Sequence, residues 1–232
     1  PIAAPPKPVV NGLGVNCCWV GVVGKPEAKG ETIPAWFTFD SIAEELKESY
    51  KPLNKKGLVL YFVGMSGSGK STVANLLMSK LKEVDNREIT YLDGDIVRRN
   101  LSKGLGFSVE DRSTNVQRIG FVASEVAKHG GIAVCSNIAP FKNDRDINRE
   151  SVTSKNGAYV EIYMKTDMEI LEKRDVKGLY KLARQGLIKE FTGISSPFEE
   201  PENPEILLEG DGDISKSVET VFEYLQDKGF IC

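Results

Sequence analysis

The run Gly64-Met65-Ser66-Gly67-Ser68-Gly69-Lys70-Ser71 has the spacing G-x-x-x-x-G-K-[ST], which is built to hold phosphate. Its glycines let the backbone turn N–H groups inward around an anion, and a helix starting there adds partial positive charge. Gly64, Ser66, Gly67, Ser68, Gly69, Lys70, Ser71 and Thr72 are the expected nucleotide contacts. Lys70 should bridge the β- and γ-phosphates, and the Ser71 hydroxyl should hold Mg²⁺. The structural alternative is a plain glycine-rich turn; the complete motif between a strand and a helix argues against it. The motif implies nucleotide binding without separating kinases from NTPases or motor domains.

A second chemical group lies at Asp93-Gly94-Asp95. Beyond the C-terminal end of a parallel strand, two acids face the ligand crevice. There, Asp95 could accept a proton from an attacking hydroxyl and Asp93 could hold a metal-bound water. The same triplet is also what an Asp-Gly turn with a helix N-cap looks like. Arg98, Arg112, Asn115 and Arg118 follow. Arg112 and Asn115 should share a helix face, with Arg118 a further candidate for it; a solvated basic face is the bland alternative.

These residues need a scaffold, and the pattern supplies one. Leu58–Val63 is an apolar run bounded by glycines, as a buried parallel strand requires. Helices are expected over 71–82, 112–128 and 214–228, and further strands over 89–92, 132–136, 159–164 and 206–208. Ser41–Glu44 and Thr166–Glu169 read as capping boxes, the first opening a helix to Tyr50. Strands alternating with helices predict an α/β fold: a P-loop NTPase-type parallel sheet with helices on both faces. Residues 1–30, rich in Pro, Gly and Val, read as an arm or linker. His129, in Lys-His-Gly, reads as a helix C-terminal cap rather than a catalyst.

Composition narrows the class. The 232 residues carry a formal net charge of −3, which points to neither a nucleic-acid nor a membrane binder. The four cysteines (17, 18, 135 and 232) show no C-x-x-C spacing. A reducing compartment fits: the cytoplasm, or the plastid stroma after removal of a transit peptide. A chain starting at Pro1 is expected to be a processed or excised product.

From Gly57 onward the sequence resembles the adenylylsulfate kinase family. The resemblance rests on Leu92-Asp-Gly-Asp95, Arg98, Leu105-Gly-Phe107-Ser, Glu110-Asp-Arg112, Asn115, Pro140, Asp144-Arg145 and Arg149. It is strongest in Arg174-Asp-Val-Lys-Gly-Leu-Tyr-Lys-Leu-Ala-Arg184 and Ile188-Lys-Glu-Phe-Thr-Gly-Ile194. It implies transfer of the γ-phosphoryl of ATP, with Mg²⁺, to the 3′-hydroxyl of adenosine 5′-phosphosulfate. It further implies an adenine clamp by Phe107 and Phe191, acceptor contacts from Arg98, Arg112, Asn115 and Ile138, a basic lid containing Lys177, Lys181 and Lys189, Arg174 near the ATP base, and a homodimer. Asp95 and Lys70, with Asp93 and Lys177, are then the expected catalytic set. The organisation would be an extension or linker over 1–53 and a kinase domain over 54–232.

Several positions depart from the family pattern: Ile96 for Asn, Gln117 for Arg, Glu190 for Gly, and Ser136-Asn-Ile-Ala-Pro140 for Ser-Phe-Ile-Ser-Pro. Ala139 has no hydroxyl to carry phosphate, so no phosphoserine cycle is expected there. Ser71–Lys82 contains no cysteine, so no disulfide should tie the arm to that helix. Ile33-Pro-Ala-Trp-Phe-Thr-Phe39 and Lys51-Pro-Leu-Asn-Lys-Lys-Gly57 resemble the stretch joining sulfurylase to kinase in fused enzymes, so fusion to or association with ATP sulfurylase is an expectation. Two other readings share the P-loop: a kinase of another small hydroxyl compound, against which the Phe pair and the arginines argue, and a weakly active regulatory domain of a multidomain sulfate-activation protein.

Overall fold

A computed structural model of the chain describes residues 56–231. The arm, the Ser41–Tyr50 helix, the Trp36–Phe37 segment and three of the cysteines lie outside the described residues. Five strands form one parallel sheet: β1 (Leu58–Val63), β2 (Ile89–Asp93), β3 (Ile132–Ser136), β4 (Ala158–Lys165) and β5 (Ile206–Glu209), in the order β2-β3-β1-β4-β5.

Alternation along β1 explains why it is central. Leu58, Leu60 and Phe62 point into one core, and Val59, Tyr61 and Val63 into the other, all fully buried. The first core is closed by helices α1 (Lys70–Val84) and α7 (Ile214–Asp227), through Val73, Leu77 and Leu81 on one and Val221, Phe222 and Leu225 on the other. The second is closed by α3 (Val109–Lys128), through Val116, Ile119, Ala123 and Ala127. Register then fixes the site: Asp93 ends β2 opposite Ser136 at the end of β3.

All five expected strands form. The expected helix over 112–128 starts three residues earlier, because Ser108 caps α3 by accepting from the Asp111 N–H at 3.1 Å. His129 is its C-cap, followed by Gly130 at φ +82°. The Thr166–Glu169 capping box does not form. The N-cap of α5 (Met168–Arg174) is Asp167, without a side-chain bond. Thr166 packs instead against Gly210, where a Cβ would stand 1.9 Å from the Thr166 hydroxyl oxygen.

Helix α4 (Lys142–Thr153) had no sequence signature because it lacks an apolar stripe. Its buried residues are Asp144, Arg145, Asn148 and Val152, so it turns a largely polar face inward. That face is paired: Arg145 meets Glu161 at 3.0 Å, Asp144 accepts from Gln117 at 3.0 Å, and Arg149 clamps Glu205. Two short helices complete the fold, α2 (Gly94–Arg99) and α6 (Leu179–Arg184).

Candidate active site

The phosphate cradle is backbone geometry. Gly64 leaves β1 at φ +151°, where a Cβ would stand 2.7 Å from the Met164 carbonyl. Gly69 takes φ +95° as the N-cap of α1, and its carbonyl accepts from Thr72 and Val73 at 3.0 and 3.1 Å. Ser68 is buried, whereas Ser71 and Thr72 are exposed on the first turn of α1.

Lys70 is only 8% exposed and folds back over the loop, donating to the Met65 carbonyl at 2.7 Å and the Ser68 hydroxyl at 3.2 Å. Burial brings its pKa down to about 7, with the Lys177 charge adding to the effect and Asp93 and Asp95 opposing it.

Beside the cradle lies an oxygen cluster. Ser71 Oγ donates to Asp93 Oδ2 at 3.0 Å, as do Ser136 Oγ at 3.1 Å and Tyr91 OH at 3.2 Å. The other oxygen, Oδ1, accepts from the Asp95 and Ile96 N–H groups at 3.0 and 3.3 Å, capping α2. The helix-cap reading of this triplet holds: one carboxylate oxygen of Asp93 caps α2, while the other faces Ser71. Burial alone would raise the Asp93 pKa, but the donors around it hold the carboxyl below its ordinary value. The side chain of Asp95 is 62% exposed and carries an ion pair from Lys177.

Lys177 belongs to a segment that covers this edge. Asp175, at φ +24°, accepts the Tyr180 and Lys181 N–H groups at 3.0 Å and so starts α6. Tyr180 OH donates to the Ser66 carbonyl at 2.7 Å, docking α6 on the cradle. Phe191, Leu171, Tyr180 and Ala183 form a small core, with Phe191 edge-on to Tyr180 at 5.0 Å. Arg174 Nη1 donates to the Gly210 carbonyl at 2.8 Å, joining α5 to the turn after β5.

On the β2 side, Arg112 is buried and donates to Thr192 Oγ1 at 2.7 Å and Ser196 Oγ at 3.1 Å. Burial lowers its pKa, the Glu190 charge opposes this, and Arg98 adds to it. Asn115 lies on the same buried face, its Oδ1 without a partner. Arg118 leaves that face and is exposed, reaching the Leu101 carbonyl at 3.1 Å, because each step of three residues drifts about 60° around the helix and puts 118 about 120° away from 112. Arg98 donates to the Gly106 carbonyl at 2.8 Å and lies over the exposed Phe107 ring at 4.4 Å. Ile138 is half-buried in the loop after β3, next to Ala139 at φ +43°. Phe107 and Phe191 thus have different surroundings: the first is 62% exposed, the second 9%.

The structure brings Lys70, Ser71, Asp93, Asp95 and Lys177 together at one edge. Sequence reasoning missed Tyr91, Ser136, Tyr180, Thr192 and Ser196. Ser136 was accessible through strand pairing, since it ends β3 level with Asp93. Tyr180 and Thr192 fell inside the blocks that resemble the family but were given no role, and Tyr91 and Ser196 carried no signal beyond their polarity. Among the described residues no group of three or more His, Cys, Asp or Glu side chains could hold a metal, and no helix is long and apolar enough to cross a membrane.

The family model described as adenylylsulphate kinase matches residues 56–209. Adenylyl-sulfate kinase 3 of Arabidopsis thaliana is 47% identical over 190 residues, covering 79% of this chain and 89% of that protein. A sulfate adenylyltransferase of Aspergillus terreus is 38% identical over 206 residues, 87% of this chain but 35% of that longer protein. Among solved structures, an APS kinase of Mycobacterium tuberculosis in complex with AMPPNP and APS superposes with a TM-score of 0.70 at 37% identity, covering 74% of this chain and 99% of that one.

Proposed function

The chain belongs to the adenylylsulfate kinase family, and from that premise we propose that it transfers the γ-phosphoryl of ATP to the 3′-hydroxyl of adenosine 5′-phosphosulfate. The products are ADP and 3′-phosphoadenosine 5′-phosphosulfate. The observation that carries this reading is the convergence of a phosphate cradle, an exposed carboxylate at Asp95 and a lid cation at Lys177 on one sheet edge. The names of the relatives support a kinase over a nucleotide-binding regulatory domain.

The chemistry follows from the groups present. ATP lies along Gly64–Thr72, its base toward Arg174, its phosphates replacing the Met65 carbonyl as the partner of Lys70. Arg112, Asn115, Arg98 and Ile138 receive the acceptor, and the unpartnered Asn115 Oδ1 is a free acceptor for a ribose hydroxyl. Its adenine stacks on Phe107 and Phe191. Asp95 accepts the 3′-hydroxyl proton as oxygen attacks phosphorus in line. Lys177 leaves Asp95 for the phosphates, which frees the base and places a second cation beside Lys70 on the developing charge. Closure of the lid excludes water.

Asp93 and Ser71 fit a Mg²⁺ site, because the donors are all oxygens and one carboxylate suffices for an ion that keeps waters and binds phosphate. The ion would neutralise phosphate charge there. The same reading includes a homodimer, a kinase domain over residues 54–232, and association with ATP sulfurylase, the last supported by the match to part of a longer sulfate adenylyltransferase. A coupled assay of ADP release tests the activity: release should depend on added adenylylsulfate, and release indifferent to it would refute the proposal.

A further inference from the structure

The residue beneath the acid turn is held by a side chain of the central strand. Asn137 follows β3 directly and is 6% exposed. Its carboxamide nitrogen donates to Tyr61 OH at 2.9 Å. Tyr61 is fully buried on the central strand, and its ring stacks on Tyr159 at 5.6 Å. The phenol also accepts from Asn148 Nδ2 at 3.1 Å, and that same nitrogen donates to the Val116 carbonyl at 3.1 Å. Asn148 is locked in turn against Gly120, where a Cβ would stand 1.8 Å from its amide oxygen. Three elements thus converge on one phenol oxygen: β1, α4 and the loop after β3.

Above this anchor sits the turn that carries both acids. A Cβ at Gly94 would stand 3.3 Å from Asn137 Cβ and 3.3 Å from the Ser136 carbonyl oxygen. Gly94 therefore rests closely on the Ser136–Asn137 step, where a side chain would make the neighbours give by a few tenths of an ångström, while Ser136 Oγ donates to Asp93 at 3.1 Å. The height of Asn137 sets the height of Gly94, and with it the position of Asp95 one residue on. One further feature marks Asn137: its Oδ1 is buried and makes no hydrogen bond. Burying such a group without a partner is unfavourable, which a side chain kept only for packing would avoid.

We propose that Asn137, anchored through the Tyr61 hydroxyl, is a positioning residue for phosphoryl transfer that fixes the Asp93-Gly94-Asp95 turn at its working height. The inference rests on the reading of Asp95 as the proton acceptor. It explains why a central β-strand carries a phenol whose oxygen points at a loop and not into apolar core. A small tilt of the turn would move Asp95 from the acceptor hydroxyl without disturbing the cradle on Gly64–Thr72.

The test is a double-mutant cycle on kcat. Asn137→Leu and Tyr61→Phe should each lower kcat about tenfold or more, since ångström-scale misplacement at a reacting centre is that costly. The KM for ATP should stay within about twofold, because the cradle is untouched. In an Asp95→Asn background the same substitutions should have almost no further effect on kcat, because the group they position has gone. An Asn137→Leu loss equal in both backgrounds, or a parallel rise in the KM for ATP, would show a general structural role and overturn the proposal. If Asn137→Leu does not fold, Tyr61→Phe, which keeps the stacked ring, decides alone by the same criteria. Wild-type protein inactive toward adenylylsulfate would overturn the reading of the site and this proposal with it; an active wild type with unaffected variants would overturn the proposal only.

Discussion

In the proposed reading, the donor half of the site is made of backbone and the acceptor half of side chains. On the donor side, Gly64 and Gly69 fix the loop by their dihedral angles, and the strand beneath is buried along its whole length. On the acceptor side, Asp93, Arg112 and Asp95 are held by hydroxyls and charges contributed from distant parts of the chain: Ser71, Ser136, Thr192, Ser196 and Lys177. A cradle made of backbone tolerates change around it and fails only at a few positions. A site made of side-chain pairs can be adjusted one residue at a time, and Asn137, Ala139 and Glu190 are positions where this chain departs from the family pattern it resembles. The last two stand at φ +43° and +54°, conformations that favour glycine.

The largest effect should come from the one donor-half side chain that reaches into the cradle. Lys70→Ala should abolish turnover, lowering kcat/KM on the order of 10³-fold, with folding retained by circular dichroism. Near-wild-type activity in that variant would break the donor assignment. Asp95→Asn should lower kcat on the order of 10²-fold or more with little change in acceptor binding, since the lost function is proton acceptance. A change confined to KM would make Asp95 a binding residue and blur the distinction between the halves.

The two phenylalanines sharpen it. Phe107→Ala and Phe191→Ala should each weaken adenylylsulfate binding by roughly 1–3 kcal/mol, the range for base stacking. Their stability effects should differ. Phe191 is packed on Tyr180, so its loss should cost about 3–5 kcal/mol in denaturant unfolding. Phe107 is exposed, so its loss should cost under about 0.5 kcal/mol. Equal destabilisation by the two would contradict the burial described above, and unchanged affinity in both would remove the clamp.

The smallest effect concerns pH. In the ligand-free protein Lys70 titrates at about 7, and triphosphate binds its charged form. Above that pH the protein must take up a proton to bind, so ATP affinity should fall as pH rises, by at most about tenfold per unit. Below it, this group should contribute no pH dependence. Calorimetry in two buffers of different ionisation enthalpy should show proton uptake at pH 8, absent in Lys70→Met.

The same contrast explains what could be read from the sequence. The cradle was legible because its requirements are local: glycines, a lysine and a hydroxyl at fixed offsets between strand and helix. The five strands were legible because apolar runs survive without context. Helix α4 was not, because its inward face is Asp144, Arg145 and Asn148, whose partners Gln117, Glu161 and Tyr61 are far away in sequence. The Thr166–Glu169 box misled for the converse reason: the motif was local, but contact with Gly210 took Thr166 out of it. The proposed acceptor residues rest on family resemblance, while the hydroxyls that hold Arg112, those of Thr192 and Ser196, have no spacing rule.

The central claim is that both halves serve one transfer, from ATP to the ribose 3′-oxygen of adenylylsulfate. Phosphorus-31 NMR of a reaction containing the protein, MgATP and adenylylsulfate tests it most directly. The account predicts one new phosphomonoester resonance, from phosphorus on the 3′-oxygen of the nucleotide, growing in step with ADP, its position assigned by coupling to the ribose 3′-proton. ADP accompanied by inorganic phosphate, with adenylylsulfate unchanged, would contradict it.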